Sequence, residues 1–399
     1  MSKNVPNIRI LMAVGLFGVM MGTVGLPIYL HAPKYFSDTY GVSLASLGAI
    51  MFTLRVVDFV QDPLLGRLSA IGIASHRFLS ASAGALIIAG ALGLFIVAAP
   101  INPTIWFALS LILLFTGYSL SAILLYTHAA NNFADTAQSI VARWREAGQL
   151  IGICLSAIAP TLFTEISHDP YTLFGGFLIS VTVVAILLMH NIWSGETVST
   201  SEKFTLGVPE ARIRPYLILA FVNAIPVAIT STLFLFYVEY AIGSVTASGP
   251  LLLLFFGAAA VSVPIWTVLV KKYVIEWVLG VAMLASLVAF VLTFTLGAGD
   301  IVAFAIICGV TGVLTGADLS EEAFGYWSLS SKLALALAVG LILPGLEVSG
   351  FDPASPTPLG IYNLSVAYAL VPSALKICAI YALWRVTMRQ SASVQGLSR

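Results

Sequence analysis

Charge is what this sequence has least of. Only 9% of its 399 residues are Asp, Glu, Lys or Arg, while 59% are hydrophobic and the mean hydropathy is +1.00. A soluble globule of this length has no use for so much apolar surface, so the chain reads as an integral membrane protein with the lipid bilayer as its first partner. The few charges balance, 18 basic against 18 acidic, and no basic tract stands out, which argues against a nucleic-acid partner. Cysteine is scarce too. Cys154, Cys308 and Cys378 fall in apolar segments without metal-ligand spacing and read as small core hydrophobes. No small-residue cleavage pattern follows the first apolar stretch, which is too long for a signal-peptide core and is kept as a spanning helix. Walker, zinc-protease and nucleophile-elbow patterns are missing, so no ATPase or hydrolase reading and no cofactor is implied.

What is there is a series of apolar runs. At about 20 residues per span, twelve are counted, near residues 8–30, 43–66, 78–99, 103–127, 140–163, 172–192, 215–238, 249–270, 274–297, 300–318, 325–347 and 362–386. The expected fold is therefore an all-α polytopic membrane protein. Basic residues of the connections, Lys3, Arg77, Lys203, Lys271 and Arg385 among them, fall on one side against Lys34 on the other. The positive-inside rule then makes both termini cytoplasmic. The longest polar connection splits the spans six and six: residues 1–193 as an N-terminal six-helix bundle, 194–214 as a cytoplasmic linker and 215–399 as a C-terminal six-helix bundle. Such halves enclose a central cavity at mid-membrane depth. Pro27, Pro226, Pro264, Pro344 and Pro372 mark places where a span can bend.

The second span carries the unusual residues. Arg55, Asp58 and Asp62 stand three and four positions apart, so on a helix all three share one face, with Gln61 beside them. Ionised groups at membrane depth are costly and normally face a protein interior or an aqueous cavity, paired with one another. A structural ion pair is the plainer reading, but two acids share one base here, and the spare carboxylate is what a Na⁺ or H⁺ site needs. On the fourth span Tyr118, Ser119, Ala122 and Tyr126 fall at helical spacing. The Ser119 hydroxyl offers an oxygen to a hard cation, or bonds to its own helix.

Arg-x-x-Asp-x-x-x-Asp-Pro-x-x-Gly at the end of the second span resembles the glycoside-pentoside-hexuronide:cation symporter family, the melibiose permease relatives within the major facilitator superfamily. The resemblance implies the major facilitator fold and a secondary transporter, not an enzyme, coupling Na⁺ or H⁺ to a small solute of the sugar or sugar-acid class. It implies a cation site at Asp58, Gln61, Asp62 and Ser119, with Asp58 and Asp62 as the metal ligands if the ion is Na⁺. Arg145 matches an arginine that lines the cavity in sugar-carrying members, although arginines at a helix end also serve as topology anchors. Lys332 matches a lysine facing the acids of the second span, although from its depth it can also snorkel to the interface. Arg55, Tyr29, Tyr118, Tyr126, Arg145 and Lys332 are assigned to the substrate and charge network, and Lys376 to a structural ion pair or snorkelling. The expected location is the plasma membrane, the inner membrane in a bacterium, with the protein acting as a monomer.

Departures from the pattern matter as well. Where sugar-carrying relatives have carboxylates on the first and fourth spans, this chain has Gly22 and Ala122, neither able to grip a hydroxyl. Arg55, Lys332 and Lys376 against Asp58 and Asp62 leave one positive charge over, which favours an anionic or amphipathic solute. The connection carrying Asp318, Glu321 and Glu322 is shorter than relatives have. An exporter or lysolipid-type carrier on the same scaffold is the alternative. A remote one, an intramembrane aspartyl protease, rests on Gly297, Gly299 and Asp300, where Asp300 otherwise reads as a helix N-cap.

Overall fold

The computed structural model describes residues 6–70, 75–133, 135–193, 214–320 and 325–396, and every regular element among them is helical. The chain divides into two compact units, Met1–Val42 with Thr53–Thr205, and Ser43–Phe52 with Leu206–Arg399. The residues expected to link two bundles, 194–213, lie outside the described residues.

The first unit holds α1 (Ile8–Val24), α2 (Leu26–Tyr40), most of α3 (Leu44–Ala70), α4 (His76–Phe95), α5 (Pro103–Asn132), α6 (Asp135–Thr164) and α7 (Pro170–His190). Its helices start where the sequence supplies an acceptor followed by proline. Asn102 caps the Thr104 N–H ahead of Pro103, and Asp169 caps the Thr172 N–H ahead of Pro170. The side-chain oxygen satisfies an orphan donor, and proline fixes the first helical φ where no donor is needed. α1 and α2 form one pass broken at Gly25, with Pro27 opening the second half. α2 ends at Gly41, whose φ of 64° is the left-handed conformation that glycine adopts without strain.

α1 lies backbone to backbone on α6. A Cβ at Gly22 would stand 2.1 Å from the Gln149 carbonyl oxygen, and one at Gly148 would stand 1.9 Å from that of Gly15. Small residues permit this approach, which membrane helices use where lipid supplies no hydrophobic drive between them. Trp193 closes the unit, with the His76 ring stacked on it at 5.7 Å and Arg77 Nε donating to its carbonyl at 3.1 Å.

The second unit holds α8 (Arg214–Phe236), α9 (Ser248–Lys272), α10 (Ile275–Thr293), α11 (Ile301–Ser320), α12 (Gly325–Val348), α13 (Pro358–Ser365) and α14 (Val371–Gly396). Two π-helical turns interrupt it, Tyr237–Ala241 at the end of α8 and Val366–Leu370 between α13 and α14. The wider turns bring Tyr237 and Tyr368 face to face, ring centroids 4.1 Å apart and 7° from parallel, with the Phe304 ring against both. Tyr237 Oη donates to the Thr293 carbonyl at 2.9 Å, so this buried hydroxyl is satisfied. The start of α3 belongs here, where the Glu347 carboxylate accepts the Ala45 N–H at 2.7 Å.

Counting α1 with α2, α8 with its π turn, and α13 with α14, the helices form twelve passes, the number read from the apolar runs. Among the described residues, nine helices are long and apolar enough to cross a membrane, and Ile301–Gly316 and Leu333–Val348 are shorter apolar stretches. Large apolar side chains such as Val261, Trp277, Val302 and Ile306 point outward, as suits a lipid environment. Pro226, Pro264 and Pro344 sit inside helices, as expected, together with Pro33 and Pro160. The cysteines do not all behave alike. Cys308 is buried and Cys154 partly so, but Cys378 is exposed on α14, because apolar surroundings in sequence do not distinguish a bundle interior from a lipid-facing surface.

Candidate functional site

α3 is a regular helix through Arg55, Asp58 and Asp62, so the shared face expected from their spacing exists. Arg55 Nη1 donates to Asp58 Oδ2 at 3.0 Å, with the two side chains only 12% and 10% exposed. A pair this deep is held at low dielectric, where neither ion tolerates loss of the other. Arg55 also lies over two rings, its Cζ 4.5 Å from the Tyr29 centroid and 5.0 Å from that of Phe115. Three helices, α2, α3 and α5, thus converge on one guanidinium.

One turn further along α3, Gln61 Oε1 accepts from Thr116 Oγ1 at 3.3 Å. Gln61 Nε2 and Arg55 Nε are buried without a hydrogen-bond partner among the described residues. Thr116 and Ser119 lie three apart on α5 and share a face. Ser119 is buried, and its hydroxyl bonds neither its own helix nor any other group among the described residues. The neighbourhood of Asp58 therefore offers one carboxylate and several uncharged oxygens. Among the described residues no three of His, Cys, Asp and Glu gather into a metal cluster.

Asp62 and Lys332 fall on the backbone of α3 and α12, but their side chains lie outside the described residues, as do Asp318, Glu321 and Glu322. Tyr118 packs at the break between α1 and α2, where a Cβ on Gly25 would meet its hydroxyl at 3.6 Å. Arg145 and Tyr126 form a second group. The guanidinium stands 4.5 Å from the Tyr126 centroid and pairs with Glu146 at 2.9 Å. Among the described residues no hydrogen bond or ring contact joins that group to Arg55.

Three details refine the sequence reading. Lys376 is buried rather than snorkelled, and its ammonium donates to Asn223 Oδ1 on α8 at 2.7 Å. Asp300 stands at the N-cap position of α11, its carbonyl accepting the Phe304 N–H at 2.9 Å, while its exposed carboxylate accepts the Gly297 N–H at 2.9 Å. Glu239, left out of the count of membrane charges, falls in the π turn that carries the seventh pass on to Ala241.

Sequence reasoning also missed Phe115 and Thr116. Thr116 was discoverable as the residue one turn before Ser119, whereas Phe115 is an apolar residue in an apolar helix and carries no signal. Gly22 was read as a lost carboxylate, and the structure supplies the reason for the loss: α6 backbone fills the space that a side chain would take.

The chain matches the family model described as MFS/sugar transport protein over residues 11–317 and 313–389. No curated protein matches it significantly in sequence. Among solved structures it is similar to the nucleoside transporter NupG, with a TM-score of 0.69 at 14% identity over 94% of this chain and 98% of that one. A bacterial homologue of the human drug peptide transporters PepT1 and PepT2 gives a TM-score of 0.71 at 11% identity, covering 96% and 98%. A bacterial homologue of the human lysosomal transporter Spinster gives 0.59 at 13% identity, covering 94% of each chain. At these identities the likeness is one of fold.

Proposed function

We propose that this chain, which belongs to the MFS/sugar transport protein family and is a membrane transporter rather than an enzyme, couples Na⁺ or H⁺ to the movement of a small polar solute of the sugar or sugar-acid class. The observation that carries the reading is the Arg55–Asp58 pair, buried in α3 one turn before the Gln61–Thr116 contact. A brace for the scaffold would close its hydrogen bonds, whereas Arg55 Nε and Gln61 Nε2 have no partner among the described residues.

The mechanism follows from charge. With no cation bound, Arg55 neutralises Asp58. A cation arriving at Asp58 and Asp62, with Gln61 and Ser119 as oxygen ligands, takes over that role, frees the guanidinium from its carboxylate and changes which arrangement of the two halves is preferred. Substrate and cation then raise each other's affinity, because a coupling free energy between two sites is reciprocal. On this reading the bundles are residues 1–193 and 215–399, joined by the cytoplasmic segment 194–214, with both termini in the cytoplasm, Lys332 facing the acids of α3, and Tyr29, Tyr118, Tyr126 and Arg145 lining the solute path.

The solute is not gripped through carboxylates on the first and fourth passes, since Gly22 has no room for one and Ala122 has no donor or acceptor. Solute-induced ion movement into proteoliposomes tests the proposal, screened with sugar acids, neutral glycosides and lysolipids, with and without Na⁺. Asp58→Cys and Asp62→Cys are expected to abolish cation-driven accumulation while the protein still reaches the membrane. Undiminished uphill uptake in both variants defeats the coupling role, and a lysolipid-only response favours the lipid-type carrier.

A further inference from the structure

The ion pair of Arg55 is only half of what holds that side chain. Tyr29 and Phe115, on α2 and α5, are each about 2% exposed, and their ring centroids stand 5.1 Å apart, so they form one continuous aromatic platform beneath the guanidinium. A cation over an aromatic face is attracted by the ring quadrupole, most strongly where water is excluded. Arginine, planar and weakly hydrated, suits such a seat better than lysine does. The platform holds Arg55 whether or not Asp58 is charged, which distinguishes it from the carboxylate.

We propose that Arg55 is a tethered competitor for sodium at Asp58, and that Tyr29 and Phe115 are positioning residues that set the strength of that competition by keeping the guanidinium beside the carboxylate. The inference rests on the reading of Asp58 as the coupling acid and sharpens it toward Na⁺, the ion that uses the uncharged oxygens of Gln61, Thr116 and Ser119. A free arginine side chain displaced by an incoming ion would swing through many rotamers and return rarely. On the platform it stays within reach of Asp58 Oδ2, now 3.0 Å from Nη1, and its effective concentration remains high. Na⁺ then binds weakly enough to be released after each cycle, as a coupling ion must be.

Removing a ring should therefore tighten sodium binding. The measurement is the NaCl concentration giving half the maximal rise in Tm of the full-length, detergent-purified protein, titrated against choline chloride at constant ionic strength. Phe115→Leu and Tyr29→Leu are each expected to lower that concentration roughly threefold to thirtyfold, the range that cation–π contacts support. Phe115→Tyr, which keeps a ring, should bring it back toward the unaltered value. Arg55→Gln should lower it most, and adding Phe115→Leu to Arg55→Gln should change nothing further. A general loss of packing would lower the Tm without moving the half-saturating concentration. If Phe115→Leu is not recovered folded, Tyr29→Leu gives the same reading from the other ring. An unchanged or raised concentration in the ring-less variants overturns the platform's role while leaving Asp58 as the coupling acid. A protein whose Tm ignores NaCl, or responds equally after Asp58→Asn, overturns the sodium reading itself and this inference with it.

Discussion

Two cations inside the protein, one chosen from each unit, are held in different ways. Arg55 in the first unit is paired with a carboxylate and rests on two rings, whereas Lys376 in the second donates to the amide oxygen of Asn223. A carboxylate can change partners, since a sodium ion or a proton satisfies it as well as a guanidinium does. An amide holds no charge to exchange. The same contrast runs through the helices. The first unit presses α1 against α6 with no side chain between them at Gly22 and Gly148, and its chemistry stands on regular helices. The second departs from α-geometry in two turns and joins them by stacked tyrosines. The lesson is that an intramembrane charge does not by itself mark a coupling site. What matters is whether its partner can be replaced by the ion to be carried.

The contrast can be broken most sharply at α1. Gly22→Asp restores the carboxylate that sugar-carrying relatives have, yet it should yield no gain of sugar binding. With the Gln149 carbonyl 2.1 Å from the new Cβ, overpacking against backbone exceeds the usual cost of about 1–3 kcal/mol, so folded protein should largely disappear from size-exclusion profiles of the detergent extract. Recovery of a well-folded Gly22→Asp protein would refute the close approach. A middle-sized effect is expected from Asn223→Leu, which removes one acceptor of a buried ammonium and should cost about 1–3 kcal/mol in thermal stability. If the comparison of the two cations holds, the half-saturating NaCl concentration stays where it was, and a shift there would place Lys376 in the coupling network. The smallest change belongs to Tyr237→Phe, which keeps the ring stack and deletes the bond to the Thr293 carbonyl, for about 1 kcal/mol and no change in transport.

The sequence carried the architecture because apolar run length is a direct consequence of bilayer thickness, and twelve runs became twelve passes, although the first extends to Tyr40 where residue 30 was expected and the last to Gly396 where 386 was expected. It also carried the Arg55–Asp58 contact, since spacings of three and four on a helix leave little freedom. Other features had no such mark. Phe115 is one apolar residue among many, and only the fold shows that it lies beneath a guanidinium. Lys376 and Asn223 are 153 positions apart, and neither announces the other. Glu239 escaped notice because a π turn is a change of hydrogen-bond register, invisible in residue type, that carries the seventh pass beyond its apparent end. Gly22 was seen as a missing function when it is a packing requirement, because a glycine in sequence says that a side chain is absent and not what occupies the space.

The contact between α1 and α6 limits how the first pass can move. Two backbones touching at the depth of Gly22 and Gly148 cannot slide along each other without carbonyl oxygens riding over Cα atoms, so the pair travels as one strut. Any flexing within that pass is thereby directed to the break at Gly25, where Tyr118 rests.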